Sequence, residues 1–150
     1  MLRKVASIHL ADLGDIARAY TYLFIAGWRL FVRHQRLDSW LARVPEESRP
    51  TTEAERQKID RAARWTNVAA RYPFPWARCL QRSLALCLWL NARGLRPVLR
   101  IGVRKNGATL EAHAWVEHGG QILNDGPIAE REFVKLPELQ QSQASLTGRE

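Results

Sequence analysis

The hydrophobic period of this sequence changes at Pro97, and that change constrains the fold more than any other feature. Before it, apolar residues recur every three or four positions, which is typical of amphipathic helices. After it, they alternate over residues 98–104 and again over 109–117, with Asn106-Gly107 between the two runs, which is typical of an antiparallel hairpin. Helices followed by antiparallel strands define the α+β class, so the sequence predicts an α+β fold.

Composition narrows the class of protein. The 150 residues suffice for one domain with its own core, and 46% hydrophobic with 25% charged residues excludes a wholly disordered or fibrous chain. Two cysteines exclude a disulfide-rich scaffold, and no CxxC pair offers a zinc knuckle. The net charge of +8 fits nucleic acid, an anionic membrane or an acidic peptide as a partner, and it equally fits no specific partner.

Three long helices are predicted before Pro97. The first covers residues 12–35, and its apolar stripe is expected to cover the core. The second begins at a capping box formed by Thr52 and Glu55. The third is an apolar helix that ends near Gly94, and its composition predicts burial in the centre of the domain. The apolar stripe of the first helix consists of Ile16, Tyr20, Leu23, Phe24, Trp28 and Phe31.

The chain is expected to divide into three segments. Residues 1–70 form an N-terminal helical region, residues 71–136 form the core with the candidate site, and residues 137–150 form a polar tail. Acidic residues interrupt the start of the chain, which excludes the apolar run of a signal peptide. The longest apolar stretch falls short of the roughly 20 residues that span a bilayer. We therefore expect a cytoplasmic protein without an integral membrane segment.

Cys79 is a candidate nucleophile because of its position. It lies in the first turn of the third predicted helix, where unpaired backbone N–H groups and the helix dipole favour a thiolate. Cys87 lies two turns further along among leucines and is interpreted as a small core residue that does not bridge to Cys79. Position alone does not make a thiol reactive, so a core role for Cys79 stays open at this point.

The strand register predicts an imidazole–carboxylate pair. A two-residue Asn-Gly loop pairs Leu99 with Ala114 in the first hairpin. In the second hairpin, a three-residue glycine loop places His113 opposite Asp125, whereas a two-residue loop places Asp125 opposite Ala114. We favour the three-residue loop because it keeps apolar residues opposite one another. A carboxylate beside the histidine fixes its tautomer, although a purely structural ion pair is the alternative.

Three segments of the sequence resemble a known family. They read Arg-Cys-Leu-Gln-Arg-Ser-Leu at residues 78–84, Ala-His-Ala-Trp-Val-Glu at residues 112–117, and Asn-Asp at residues 124–125 after a short glycine turn. Together they are similar to the transglutaminase-like cysteine peptidases that mature lasso peptides, and specifically to the peptidase half of the split form. The resemblance covers about residues 70–130.

The resemblance implies a fold, a triad and an activity. The implied fold is a papain-like or transglutaminase-like core, in which one buried helix packs against an antiparallel sheet. Cys79 is the implied nucleophile, His113 the general base and acid, and Asp125 the residue that orients the imidazole. The implied activity is removal of the leader peptide from a lasso-peptide precursor through an acyl-enzyme, with no cofactor and no metal. Acyl transfer of the transglutaminase type uses the same three groups and stays open.

The resemblance also implies partners, and the charge distribution suggests where they bind. The implied partners are the precursor leader, a separate leader-recognition protein and an ATP-dependent macrolactam cyclase. Residues 1–105 hold 20 Lys+Arg and 8 Asp+Glu, whereas residues 106–150 hold 3 and 7. The helical part is therefore the expected docking surface. A non-catalytic nucleic-acid-binding module is the alternative from another class, and it is disfavoured because the aromatics among the N-terminal arginines follow a core stripe.

Overall fold

Three helices precede four strands in the computed structural model, which describes residues 10–31, 51–71, 78–126 and 131–135. The strands form one antiparallel sheet in the order β3-β2-β1-β4. The predicted α+β class is confirmed. The elements are α1 (Leu10–Phe31), α2 (Glu53–Arg71), α3 (Cys79–Ala92), β1 (Val98–Asn106), β2 (Thr109–His118), β3 (Gln121–Ile122) and β4 (Val134–Lys135).

The described ranges test only part of the predicted organisation. The polar tail at residues 137–150 lies outside them, and the division of the chain into three segments stays a prediction. Within these ranges, no helix combines the length and the apolar character that crossing a bilayer requires.

The ends of α2 and α3 follow from local sequence. At the start of α2, the Thr52 hydroxyl accepts a hydrogen bond from the Glu55 N–H at 3.3 Å, and the Glu55 carboxylate accepts one from the Thr52 N–H at 3.0 Å. The predicted capping box is confirmed. After α3, Gly94 adopts a left-handed φ of 78°, and its N–H donates to the Asn91 carbonyl at 3.0 Å. The chain therefore turns at the predicted glycine.

The third helix lies in the centre of the fold, as predicted. It packs against α1 and α2 on one side and against β1 and β2 on the other. Cys87 is fully buried in this core, which confirms its interpretation as a core residue. Most of the helix is buried: Gln81, Ser83, Leu84, Ala85, Leu86, Cys87, Trp89 and Leu90.

Only part of the apolar stripe of α1 enters the core. Leu23 is buried, together with the small residues Ala19 and Ala26, and this side of the helix faces α2 and α3. Small side chains let helices approach closely, so the core covers the arc centred on these alanines and leaves the opposite arc uncovered. The expectation that the whole stripe covers the core is wrong. Its exposed members are Phe24, Trp28 and Phe31, at 66%, 51% and 69%.

Asp15 ties the three helices together. Its side chain is almost fully buried on α1, and its carboxylate accepts hydrogen bonds from Arg18 at 3.0 Å, from Arg61 of α2 at 2.9 Å and from Arg93, which follows α3, at 3.3 Å. A buried carboxylate needs such compensation, because removing it from water is costly. The cluster therefore holds α1 against both α2 and the end of α3.

The first hairpin is shifted by two residues from the predicted register. Leu99 pairs with Val116 instead of Ala114, and Asn106 pairs with Thr109, so the loop consists of the two residues between them. Asn106 stays in the ladder, where its carbonyl accepts a hydrogen bond from the Thr109 hydroxyl at 2.8 Å. Because side chains alternate with a period of two, this shift leaves every residue on its predicted face.

The second hairpin has a shorter loop than predicted. Glu117 pairs with Ile122, so the loop contains only Gly119 and Gly120. Both glycines adopt a positive φ, of 56° and 76°, which is the conformation that a two-residue turn of this kind requires. The predicted three-residue loop is therefore wrong. The third strand ends at once, and residues 123–125 form a bend.

Candidate active site

His113 and Asp125 meet although the predicted ladder pairing is absent. Asp125 lies on the bend after β3, and its Oδ2 atom contacts Nε2 of the His113 ring. The bend, and not a strand pairing, brings the two side chains together. Because the carboxylate occupies Nε2, Nδ1 is the ring nitrogen that remains for a second partner.

A buried network of hydrogen bonds holds the bend against α3 and β2. The side-chain oxygen Oδ1 of Asn124 accepts a hydrogen bond from the Val116 N–H at 2.9 Å. The Asn124 amide donates to the Ser83 hydroxyl at 2.9 Å, and this hydroxyl donates to the Ala114 carbonyl at 2.9 Å. Both side chains are nearly or fully buried. The network joins the helix, the strand and the bend at a single point.

Cys79 is the first residue of α3 and is partly buried. Arg78, which precedes it, is extended, and no side chain caps this end of the helix. Among the residues that the structure describes, the N-cap residue thus offers the N–H groups of the first turn no side-chain partner. Within the described part of the chain, the Cys79 thiol forms no hydrogen bond to His113. The structure thus brings His113 and Asp125 into contact, and it places Cys79 at the start of α3 without a direct bond to either of them.

The face of α3 that carries Cys79 is turned towards the His113–Asp125 pair. Arg82 and Ser83 lie three and four residues after Cys79, so the three side chains share one face of the helix. An Arg82 guanidinium nitrogen lies 3.9 Å from Oδ2 of Asp125. Ser83 bonds the carbonyl of the residue that follows His113. The first two turns of α3 therefore contact both the bend that carries Asp125 and the strand that carries His113.

Aromatic rings on both sides fix the orientation of His113. The ring centroid lies 6.4 Å from that of Trp115 and 5.2 Å from that of Phe133, which immediately precedes β4. Gly102 lies opposite His113 on β1. A Cβ atom there would come within 2.8 Å of both the Trp115 ring and the Phe133 side chain. Only glycine at this position leaves room for the two rings.

Gln81 does not serve this site although it lies close to Cys79 in sequence. Its side-chain amide is buried and donates to the Leu23 carbonyl of α1 at 3.0 Å. Gly27 leaves space for it, because a Cβ atom at that position would lie 2.7 Å from the amide nitrogen. Gln81 therefore fastens α3 to α1 and is not available as a donor to a substrate.

A groove of about 560 Å³ opens beside the His113–Asp125 pair. Arg104 lies in its wall, where it forms ion pairs with Glu111 at 2.7 Å and with Glu132. The guanidinium also lies 4.8 Å from the ring centroid of Phe133. The groove offers room for an extended segment of polypeptide next to the imidazole. In the described ranges, no group of three or more His, Cys, Asp or Glu side chains is placed to hold a metal ion.

Glu117 supports the aromatic side of the site. Its carboxylate accepts hydrogen bonds from the Trp115 indole at 2.8 Å, from Lys135 of β4 at 3.0 Å and from Arg100 of β1 at 3.0 Å. Burial raises the pKa of Glu117, but the hydrogen bonds from these three groups outweigh it, so the pKa lies below its ordinary value of 4.5. The charged carboxylate thus helps to hold the ring that stacks on His113.

The depressed pKa of Glu117 predicts a pH-dependent contribution to stability. A carboxylate whose pKa is lower in the folded state stabilises the fold above its unfolded pKa, and this stabilisation is lost as the pH falls through the folded value. We expect Glu117→Gln to lower the free energy of unfolding by about 1–2 kcal/mol at pH 7. The difference from the unaltered chain should shrink below pH 4.5. Urea unfolding at pH 7 and at pH 3 measures it, and a difference independent of pH would contradict the assignment.

Comparison with known proteins agrees with this architecture. Residues 23–138 match the family model of the transglutaminase-like superfamily, and the chain belongs to that superfamily. A shorter part is similar to the microcin J25-processing protein McjB of Escherichia coli, with 47% identity over 49 residues. These residues make up 33% of this chain and 23% of McjB, so the match spans about a quarter of that protein. No solved structure matches the chain.

Proposed function

We propose that this chain is a cysteine endopeptidase that removes the leader peptide from a ribosomally made lasso-peptide precursor. The observation that carries the proposal is the contact between His113 and Asp125 beside the helix face that begins with Cys79. Membership of the transglutaminase-like superfamily supports the thiol chemistry. Similarity to a microcin J25-processing protein supports a precursor peptide as the substrate.

The proposed mechanism uses Cys79, His113 and Asp125 in turn. The Cys79 sulfur attacks the scissile carbonyl while Nδ1 of His113 takes the thiol proton. The thioester forms, the C–N bond breaks, and the imidazolium gives its proton to the leaving amine. Water, deprotonated by the same imidazole, then releases the leader as a carboxylic acid and restores the thiol. Asp125 holds Nε2 throughout and stabilises the imidazolium.

Backbone groups are the proposed donors to the oxyanion. The Arg78 side chain does not cap the first turn of α3, so in the described part of the chain the N-cap residue does not compete for its N–H groups. Such donors typically contribute about 3–4 kcal/mol each to the stability of the transition state. Gln81 is excluded from this role because its side chain is buried against α1, where it donates to the Leu23 carbonyl.

A nucleic-acid-binding function is the weaker candidate. Phe24, Trp28 and Phe31 are exposed, so burial of these aromatic rings in the core is no longer an argument against nucleic-acid binding. However, binding of single-stranded nucleic acid combines stacked aromatics with cations along the backbone. Among the exposed side chains of α1 in the described residues, the charged one is Arg18, and it is paired with Asp15 and does not lie beside the exposed aromatic rings. The geometry therefore favours the enzyme.

Partners belong to the same proposal. We propose that the enzyme acts in the cytoplasm with a separate leader-recognition protein and an ATP-dependent macrolactam cyclase, and that the isolated chain cleaves poorly. Rates with and without the leader-recognition protein measure this dependence. Equal rates for the isolated chain and the full mixture would contradict it.

The test of the function is identification of the products. A precursor is incubated with the chain, the leader-recognition protein and the cyclase, and the products are weighed by mass spectrometry. A leader that ends in a free acid indicates hydrolysis and supports the proposal. A leader joined to an amine by a new amide bond indicates acyl transfer and overturns the proposal. An intact precursor in the complete mixture indicates neither hydrolysis nor acyl transfer and also overturns the proposal.

A further inference from the structure

We propose that Ser83 and Asn124 are the positioning residues of this site, and that they act as one unit. The inference rests on the proposed peptidase function. It states that a single buried hydrogen bond, from the Asn124 amide to the Ser83 hydroxyl, fixes the places of Cys79, His113 and Asp125 relative to one another.

Each end of the network lies next to a candidate triad residue. Ser83 lies one helical turn after Cys79 on the same face of α3. Its hydroxyl donates to the carbonyl of Ala114, which follows His113, at 2.9 Å. Asn124 immediately precedes Asp125, as the sequence shows. The unit therefore connects the nucleophile, the imidazole and the carboxylate through backbone neighbours.

Asn124 also replaces a strand residue that β3 does not provide. β3 ends at Ile122, yet both backbone groups of Val116 on β2 remain bonded. The Val116 carbonyl accepts the N–H of Leu123 at 2.9 Å, and the Val116 N–H donates to the side-chain oxygen of Asn124 at 2.9 Å. The Asn124 side chain thus supplies the hydrogen bond that a backbone carbonyl would make in a longer β3, while the backbone turns away from β2. Asp125 is thereby placed beside His113 and not beyond it.

Burial excludes direct contact of this pair with a substrate. Ser83 is 0% and Asn124 is 6% exposed, so neither side chain reaches the groove. The Ser83 hydroxyl is committed both as donor and as acceptor, which leaves it no role as a nucleophile. A buried, hydrogen-bonded polar pair fixes a geometry through directional bonds, whereas apolar packing tolerates sliding. Positioning is the function that remains.

Kinetics of a double-mutant cycle test the unit. We expect Ser83→Ala and Asn124→Ala each to lower kcat by roughly 10²-fold with little change in KM, because a small misplacement of reacting groups has an effect of this size. The double variant should lose clearly less than the product of the two single losses, since both changes break the shared bond between Ser83 and Asn124. Additive losses would overturn the proposal.

A matched control separates positioning from stability. Ile59→Ala opens a cavity on α2 in the same core and leaves the network intact, so it should lower the unfolding midpoint and leave kcat unchanged while the protein is folded. If Asn124→Ala does not fold, Asn124→Asp takes its place, because it keeps the acceptor for Val116 and removes the donor to Ser83. Variants that lose stability like the control but retain kcat would overturn the inference.

Alkylation of Cys79 gives a readout that needs no substrate. We expect iodoacetamide to react with Cys79 more slowly in Asn124→Ala, by about the factor seen in His113→Ala, because loss of the network misplaces the imidazole that is proposed to activate the thiol. Cys87 is fully buried and serves as the internal reference. An unchanged alkylation rate would overturn the inference. If the unaltered chain cleaves no precursor in the complete mixture with the leader-recognition protein and the cyclase, the proposed function fails, and alkylation alone then tests the role of the pair.

Discussion

The Cys79→Ala variant is expected to cleave no precursor and to keep its fold. Removal of the nucleophile from a triad lowers kcat on the order of 10⁶-fold, because the covalent step is lost and only binding and oxyanion stabilisation remain. Cys79 is partly buried at the first position of α3, where a smaller side chain leaves the helix and its packing unchanged. Cleavage rates and urea unfolding of the two proteins, measured side by side, give both parts of this result.

Cys87→Ala is the control within the same helix. Cys87 is fully buried in the core, so its replacement should lower the free energy of unfolding by about 1 kcal/mol and leave cleavage intact. The two cysteines thus predict opposite outcomes: one variant loses activity and keeps stability, and the other does the reverse. If cleavage persists in Cys79→Ala, Cys79 is not the nucleophile. If Cys87→Ala loses cleavage while its fold is intact, the nucleophile has been assigned to the wrong cysteine.

The parts of the fold that depend on local chemistry are predictable from the sequence. The capping box at Thr52 and Glu55, the turn at Gly94 and the position of Cys79 in the first turn of a buried helix all involve neighbours within four residues. The change of period at Pro97 correctly separates helices from strands. These local features form as predicted because contacts with residues distant in sequence do not compete with them.

Strand register and helix coverage are less predictable for physical reasons. A shift of two residues keeps every side chain on its face, so alternation does not distinguish Leu99 opposite Ala114 from Leu99 opposite Val116. Likewise, an apolar stripe does not show which arc of α1 the other helices cover. The structure buries the alanine side and exposes Phe24.

The contact between His113 and Asp125 could be predicted from the sequence, whereas the side chains that support it could not. His113 and Asp125 are in contact, but a bend brings them together where a ladder was expected. The supporting contacts join elements that are distant in sequence: Ser83 of α3 bonds Asn124, and the Phe133 ring packs beside His113. Ser83 could have been found because it is a polar residue in an apolar helix. No sequence signal indicates that Phe133 packs beside His113. The assignment of Cys79, His113 and Asp125 as a catalytic triad stays a prediction until the variants are measured.

The Asp15→Asn variant is expected to lower the free energy of unfolding by about 2–3 kcal/mol. Asp15 is 4% exposed, and three guanidinium groups converge on its carboxylate; when the charge is removed, they repel one another around a neutral amide. Breaking a buried ion pair commonly costs about 3–5 kcal/mol, and the loss is smaller here because side chains such as Arg18 and Arg61 reach water. Urea denaturation of the two proteins measures the difference.

Asp12→Asn is the matched control for Asp15, because it removes a carboxylate one turn earlier on the same helix that also pairs with Arg61. The Asp12 side chain is 23% exposed and its ion pair spans 3.3 Å, so we expect a loss below about 1 kcal/mol. Since the Asp15 cluster joins α1 to α2 and to the end of α3, its loss should also loosen the support of the helix that begins with Cys79. Alkylation of Cys87, which is protected only while this core is closed, should then accelerate in Asp15→Asn and not in Asp12→Asn. Equal losses of stability in the two variants would show that burial of the carboxylate contributes nothing, and the cluster would then be an ordinary surface ion pair.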